Sequence, residues 1–309
     1  MRGLLKFNEP LAMHTSWHIG GPADKYFRPA DTKDLAEFLK TSVKDNEPIT
    51  WLGLGSNVLI SDSGIRGVVI HTLAQAGAGA ITVSEPESNT EKVLIWVDAG
   101  VTCAKLAKYC AKEGLLGGEF FAGIPGTLGG ALAMNAGAWG GETWRLVKQV
   151  EVINRYGEQT IRSSNMYKIK YRSVERIRDN FQNNVPEKLH EEWFIAGCFE
   201  FERGDSAIAT RKVKALLQER TAKQPIGVFS CGSVFKNPEG NHAGKLIEAS
   251  QLKGFTIGGA QISPKHANFI LNLGYAKAQD VLALIKHIQA VVLKDHQICL
   301  EPEVRILGF

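Results

Sequence analysis

At 309 residues, with 44% hydrophobic and 22% charged side chains, the chain has the composition of a soluble globular protein and enough length for about two domains, each with a core. Its 36 basic and 32 acidic residues leave a formal charge of +4 with no long basic block, which disfavours nucleic acid as a partner and suits a small anionic one. Five cysteines, never in a CxxC pair, argue against a disulfide framework or a zinc site, and the opening MRGLLKFNEPLAMH places Lys6 and Glu9 where a signal peptide needs an apolar core. The expected location is the cytoplasm, with reduced thiols, no metal and no membrane.

In chain order, Asp31 followed by Leu35, Phe38, Leu39 and Val43 predicts a capped amphipathic helix leading to a strand over Ile49–Leu52. That strand runs into Gly53-Leu54-Gly55-Ser56-Asn57, followed by short strands at Val58–Ile60 and Val68–His71. Strands are expected again near Ile81–Val83 and Val93–Val97, then a helix with the stripe Cys103, Leu106, Ala107, Cys110 and Ala111. The uncharged run Phe120–Gly141 comes next, with seven glycines and five alanines. Only small side chains let a backbone approach a ligand this closely, so the run reads as a main-chain cradle for an anion such as a diphosphate. A membrane span is excluded by Pro125, Asn135 and too few large apolar residues.

A hairpin is expected for Val147–Ile153 and Glu158–Ile161, and an exposed polar loop over 179–192. A break near Arg203–Ser206 precedes a helix from about Ala207 to Arg220 and a second glycine-rich turn, Gly232–Gly240. The residues Val281, Leu284, Ile285, Ile288, Val291 and Val292 mark a long helix, and Ile298–Ile306 reads as a closing strand. The alternation is α+β. Gly53-Leu-Gly-Ser-Asn57 lacks the third glycine and the βαβ context of a Rossmann fingerprint, so it enters as a second anion-cradling turn.

Five blocks stand in order: HTSWHIGGPADKYF (14–27), GLGSNVLISDSGIRGVVI (53–70), GIPGTLGGALAMNAGAWGGE (123–142), GSVFKNP (232–238) and LEPEVRILG (300–308). Together they resemble the UDP-N-acetylenolpyruvoylglucosamine reductase family over nearly the whole chain. The resemblance implies an α+β fold with a bipartite FAD-binding domain of the vanillyl-alcohol-oxidase (PCMH) type and a smaller α+β substrate-binding domain. It implies subdomain 1 over 1–72, rejoined by 298–309, subdomain 2 over 73–204, and the substrate domain over 205–297. The implied activity is NADPH-dependent reduction of UDP-N-acetylglucosamine enolpyruvate to UDP-N-acetylmuramate, a peptidoglycan precursor, through non-covalent FAD. The enzyme is expected to be a monomer whose partners are the UDP-sugar and NADPH.

By the same resemblance, FAD would meet Gly53, Leu54, Gly55, Ser56, Asn57 and Val58, then Gly123, Ile124, Gly126, Thr127, Gly129, Gly130, Asn135 and Gly137, and also Arg220. Lys223 and Asn237 would meet substrate. His14 and His18 are weaker candidates. Ser233 resembles the family's proton donor, while Arg172 and Glu303 match the pair that steadies the enolate-like intermediate. An Arg fork suits a carboxylate, and Glu303 is expected to be protonated when it acts. The segment 179–192 contains no Tyr, which fits a shorter type lacking a substrate-clamping Tyr loop. Taken alone, Ser233 reads as a turn hydroxyl, Arg172 as a surface residue and Glu303 as a solvated strand residue. Alternatives are a related FAD-dependent alcohol or sugar oxidase and a non-catalytic nucleotide-sugar binder.

Overall fold

The computed structural model describes residues 1–44, 46–72, 80–84, 91–177 and 191–309. The predicted loop over 179–192 therefore lies outside the described residues, except for Glu191 and Glu192. The chain forms two compact units. One comprises Met1–Leu5, Phe27–Gly53 and Ile70–Gln218; the other comprises Lys6–Tyr26, Leu54–Val69 and Glu219–Phe309.

In the first unit, helix α1 (Thr32–Ser42) starts where Asp31 accepts a hydrogen bond from the Asp34 amide at 2.9 Å, as expected of an N-cap. Its buried face carries Leu35, Phe38 and Leu39, and Phe38 stacks on Phe27 with centroids 3.8 Å apart. Burial of each such side chain contributes roughly 1.5–3 kcal/mol. Helix α2 (Cys103–Lys112) buries the full predicted stripe and is capped by Thr102.

The central sheet of this unit has strands in the order Gln159–Ser163, Val147–Asn154, Glu192–Arg203, Lys92–Asp98 and Ile81–Val83, with Leu115–Leu116 also pairing the long strand. Strict alternation in Lys92–Asp98 sends Val93, Ile95 and Val97 into the core. Strand Glu192–Arg203 was not anticipated. Its stretch Phe194–Phe201 is nearly all apolar and lacks alternation, because this strand lies between two others and is buried over most of its length. Also unassigned from sequence is the hairpin Tyr167–Lys170 with Ser173–Arg176, which leaves Tyr171 and Arg172 as its two-residue loop. Helix α3 (Leu128–Met134) ends at Asn135 in the left-handed conformation, φ 46°.

Helix α4 (Ser206–Lys223) follows the predicted break and runs three residues past the expected end, with the Asp205 carboxylate receiving the Ala207 and Ile208 amides. In the second unit, α5 (Ala243–Ala249) and α6 (Ala278–His296) share a core with the antiparallel strands Thr256–Ile257, Ala260–Ile262 and Ile270–Asn272. The α6 stripe is buried as expected, except that Val291 is only partly covered.

The C-terminal strand requires correction. Only Arg305–Leu307 is strand, paired in parallel with Val58–Ile60. Upstream the chain is extended but changes partner: the Lys236 amide donates to Glu301 O and the Glu303 amide to Val234 O. Pro302 has no N–H to continue a ladder, so a single bridge to Phe235 takes its place.

Candidate active site

The glycine-rich cradle is built within the first unit. The Cys103 amide donates to Gly126 O, Leu128 to Val101 O and Gly129 to Ala99 O, which ties the loop before α3 to the loop before α2. These bonds, with Ile124 to Phe121 O and Gly126 to Ile124 O, consume four main-chain donors of the segment. The cradle is accordingly narrower than its glycine count suggests.

Several of these glycines have no room for a Cβ. At Gly53 it would lie 2.3 Å from Thr127 Oγ1, at Gly129 it would lie 3.0 Å from the Ala99 Cβ, and at Gly123 it would collide with the Trp139 ring. Thr127 is buried, and its hydroxyl has no hydrogen-bond partner among the described residues. A buried hydroxyl with no partner beside two glycine backbones is what a bound polar group would complete. The residues present therefore fit the diphosphate of a dinucleotide cofactor.

Asn135 is almost fully buried and its amide is already employed. Nδ2 donates to Glu142 Oε2 and Lys170 O, and Oδ1 accepts from the Trp144 amide. Its main-chain N–H is engaged as well, closing the end of α3 onto Ala131 O and Leu132 O. Its side chain anchors the hairpin whose loop presents Arg172. Arg172 itself sits at φ 56°, and its Nη2 donates to Gly137 O at 3.3 Å. The guanidinium carbon lies 5.1 Å from the centroid of the Tyr171 ring. Trp139 also takes a left-handed φ of 49° and covers Gly123. An aromatic inside a run of Gly and Ala is the signal that marks it.

In the second unit, Gly55 has φ 67°, and a Cβ there would lie 2.0 Å from His14 O. The adjoining turn is held by Ser16, whose amide and hydroxyl both donate to Gly55 O. Leu54 is partly exposed, and Ser56 and Asn57 complete the turn before Val58. Asn57 Nδ2 donates to Glu303 O at 3.1 Å, while the Arg305 amide donates to Asn57 O at 3.0 Å. The Glu303 amide reaches Val234 O at 2.7 Å, next to Ser233. Three of the five blocks thus meet through the main chain around Ser233 and Glu303, and both of these residues are half-buried. Cys231 is buried beside them. Burial pushes its thiol well above the ordinary range, and the Glu303 carboxylate adds to the shift.

The remaining candidates have further partners of their own. Half-buried Arg220 donates through Nε to Gln224 Oε1 at 3.1 Å, and burial lowers its pKa. Exposed Lys223 pairs with Glu219 one turn earlier at 2.7 Å. Asn237 uses Oδ1 to accept the Ala243 amide at the start of α5, which leaves its Nδ2 for other partners. His14 pairs with Glu9 and stacks on Tyr26; His18 stacks on Phe229.

Residues 23–162 match the FAD binding domain family, and residues 224–307 match the family described as UDP-N-acetylenolpyruvoylglucosamine reductase, C-terminal domain. A UDP-N-acetylenolpyruvoylglucosamine reductase of Coxiella burnetii (strain Dugway 5J108-111) is 50% identical over 319 aligned residues, covering 100% of this chain and 97% of the relative. One from Alkalilimnicola ehrlichii is 47% identical, covering 99% and 95%. The crystal structure of the reductase from Thermus caldophilus superposes with a TM-score of 0.76 at 30% identity and covers 100% of both chains. The fold is thus the α+β arrangement expected from the sequence, with an FAD-binding domain. On identity across its full length, the chain belongs to the UDP-N-acetylenolpyruvoylglucosamine reductase family.

Proposed function

We propose that this chain reduces UDP-N-acetylglucosamine enolpyruvate to UDP-N-acetylmuramate with NADPH, as an FAD-dependent oxidoreductase of peptidoglycan precursor synthesis. The observation that carries this reading is the hydrogen-bonded convergence of Asn57, Val234 and Glu303, which places a hydroxyl and a carboxyl on neighbouring extended segments. Bound FAD supplies the hydride relay between NADPH and the enolpyruvyl double bond.

The protein's own part is to hold the substrate and to move one proton. As hydride reaches one carbon of the double bond, negative charge grows on its neighbour and on the attached carboxylate. The Arg172 fork neutralises that carboxylate. Ser233 Oγ donates its proton to the neighbouring carbon, which completes the saturated ether, and the hydroxyl then recovers a proton from solvent. Glu303 acts in its protonated form, since a second negative charge beside the developing one would oppose the reaction.

The residues named for FAD are Gly53 to Val58, Gly123, Ile124, Gly126, Thr127, Gly129, Gly130, Asn135, Gly137 and Arg220, with Lys223 and Asn237 for the substrate. The unpartnered Thr127 hydroxyl and the crowded glycines support the diphosphate assignment. The proposal keeps the three-part division 1–72 with 298–309, 73–204 and 205–297, and the shorter type without a Tyr clamp. It extends to a monomer working in the cytoplasm, with neither nucleic acid nor membrane as a partner. The near-balanced charge speaks against nucleic acid, and no helix among the described residues is long and apolar enough to cross a membrane.

The test separates the two half-reactions by flavin absorbance. NADPH should bleach the purified holoenzyme, and the enolpyruvyl substrate should restore the colour. Ser233→Ala should leave bleaching near normal and slow the recovery by about a hundredfold or more, the usual worth of a placed general acid. Recovery at the parent rate would remove Ser233 from the mechanism.

A further inference from the structure

Asn268 lies outside every block that carries the family resemblance, yet it grips the segment that presents Ser233. Its side chain is 4% exposed. Oδ1 accepts the Phe235 amide at 3.0 Å, and Nδ2 donates to Phe235 O at 2.9 Å. Its own carbonyl accepts the Val234 amide, also at 2.9 Å. One buried residue therefore satisfies three of the four main-chain polar groups of Val234 and Phe235, immediately after Ser233, much as a neighbouring strand would, and fixes that segment against rotation. The opposite edge is held by Glu303, whose amide donates to Val234 O at 2.7 Å, with Val304 adding a longer bond at 3.3 Å. Val234 and Phe235 are themselves buried at 0% and 1% exposure, so no water can replace a lost partner there without opening the core.

From this we infer that Asn268 is a positioning residue for the proton-transfer step: by clamping Val234 and Phe235 against the Glu303 segment it sets the separation between the Ser233 hydroxyl and the Glu303 carboxyl. The inference rests on the proposed roles of Ser233 and Glu303. An apolar residue would fill the same space, and a carboxylate would keep the acceptor for the Phe235 amide. Neither would keep the donor to Phe235 O. The bidentate grip belongs to the amide.

The experiment uses the flavin-loaded enzyme and compares the parent, S233A, N268D and N268S. N268D keeps the size and the acceptor but turns an oxygen toward Phe235 O. The expected result is bleaching by NADPH within about twofold of the parent and recovery with the enolpyruvyl substrate slowed by about tenfold to a hundredfold, the usual cost of a small misplacement. The solvent deuterium isotope effect on recovery should rise. For N268D the deficit relative to the parent should shrink as pH falls, because a protonated Asp can again donate to Phe235 O. Equal losses in both half-reactions would overturn the inference, as would parent-like recovery in folded N268D and N268S. Failure of both variants to fold would also overturn it, making the clamp a requirement for folding only. If S233A itself recovers normally, the reading of Ser233 fails first, and that result is distinct from a null effect at Asn268.

Discussion

Arg172 occupies a left-handed backbone conformation that costs an L residue on the order of 1 kcal/mol, and it does so at a turn where glycine would be free of that cost. The arginine side chain is what the position keeps, directed onto Gly137 O by the turn and by Asn135 beneath it. The cysteines show the opposite logic, residues held inert by their surroundings. Burial pushes Cys103 and Cys110 up to about 12 and Cys198 up to about 11, whereas an unfolded thiol titrates near 8.5. A folded pKa raised in this way gives a stabilising contribution that is complete below the unfolded value and is lost as pH climbs toward the folded one. The urea midpoint should therefore fall progressively above about pH 8.5, and Cys103→Ala should make that decline shallower. At pH 8 a thiol reagent should label exposed Cys299 alone in the native protein and all five thiols in denaturant. Rapid native labelling of four would contradict the burial argument.

Among the elements, the hairpin Tyr167–Arg176 has the most direct bearing on the site because its loop presents Arg172. Glu192, at the start of the long strand, holds it down. One carboxylate oxygen accepts Arg162 Nε at 2.8 Å and Arg176 Nη1 at 3.1 Å, and the other accepts the Tyr167 hydroxyl at 2.8 Å. The carboxylate is only 11% exposed, so its removal strands two guanidinium groups in a partly buried place. Glu192→Ala should lower stability by about 3 kcal/mol, read as a shift of the urea midpoint, and should weaken substrate binding through the displaced Arg172. A loss below about 0.5 kcal/mol would place this cluster with ordinary surface ion pairs. The hairpin was missed because its strands are only four residues each, too short for the alternation of Tyr167-Lys-Ile-Lys170 to stand out, and Ser173–Arg176 carries a single apolar residue. Helices α1, α2 and α6 were legible from their apolar spacing, with the Asp31 cap as a further signal at α1.

For the molecule as a whole, each unit has its own core, centred on the long sheet in one and on α6 in the other. Arg172 and the Gly123–Gly137 segment belong to the first unit, and Ser233 and Glu303 to the second. Cofactor that binds only the folded chain must stabilise it by mass action, by about 2.7 kcal/mol at a hundredfold excess over the dissociation constant. Flavin-stripped protein should therefore melt at a lower temperature than the holoenzyme, with Tm rising steadily as FAD is titrated back. A Tm indifferent to FAD would argue against the cradle described for Thr127.

The sequence by itself determined the family, the glycine-rich main-chain cradle, the main helices and the identity of the candidate hydroxyl, carboxyl and guanidinium. These follow from residue type and local spacing, which need no knowledge of the rest of the chain. Only the tertiary structure decided that four of the cradle's donors are already spent, that Asn135 is occupied within the protein, and that the chain around Pro302 makes a single bridge to Phe235 before the short last strand. It also decided that Asn268 and Glu303 grip the two edges of one segment after Ser233. Such hydrogen bonds, between near neighbours as at Asn135 and Glu142 or distant ones as at Asn268 and Phe235, leave no periodic trace in a chain, so their partners become visible only once it has folded.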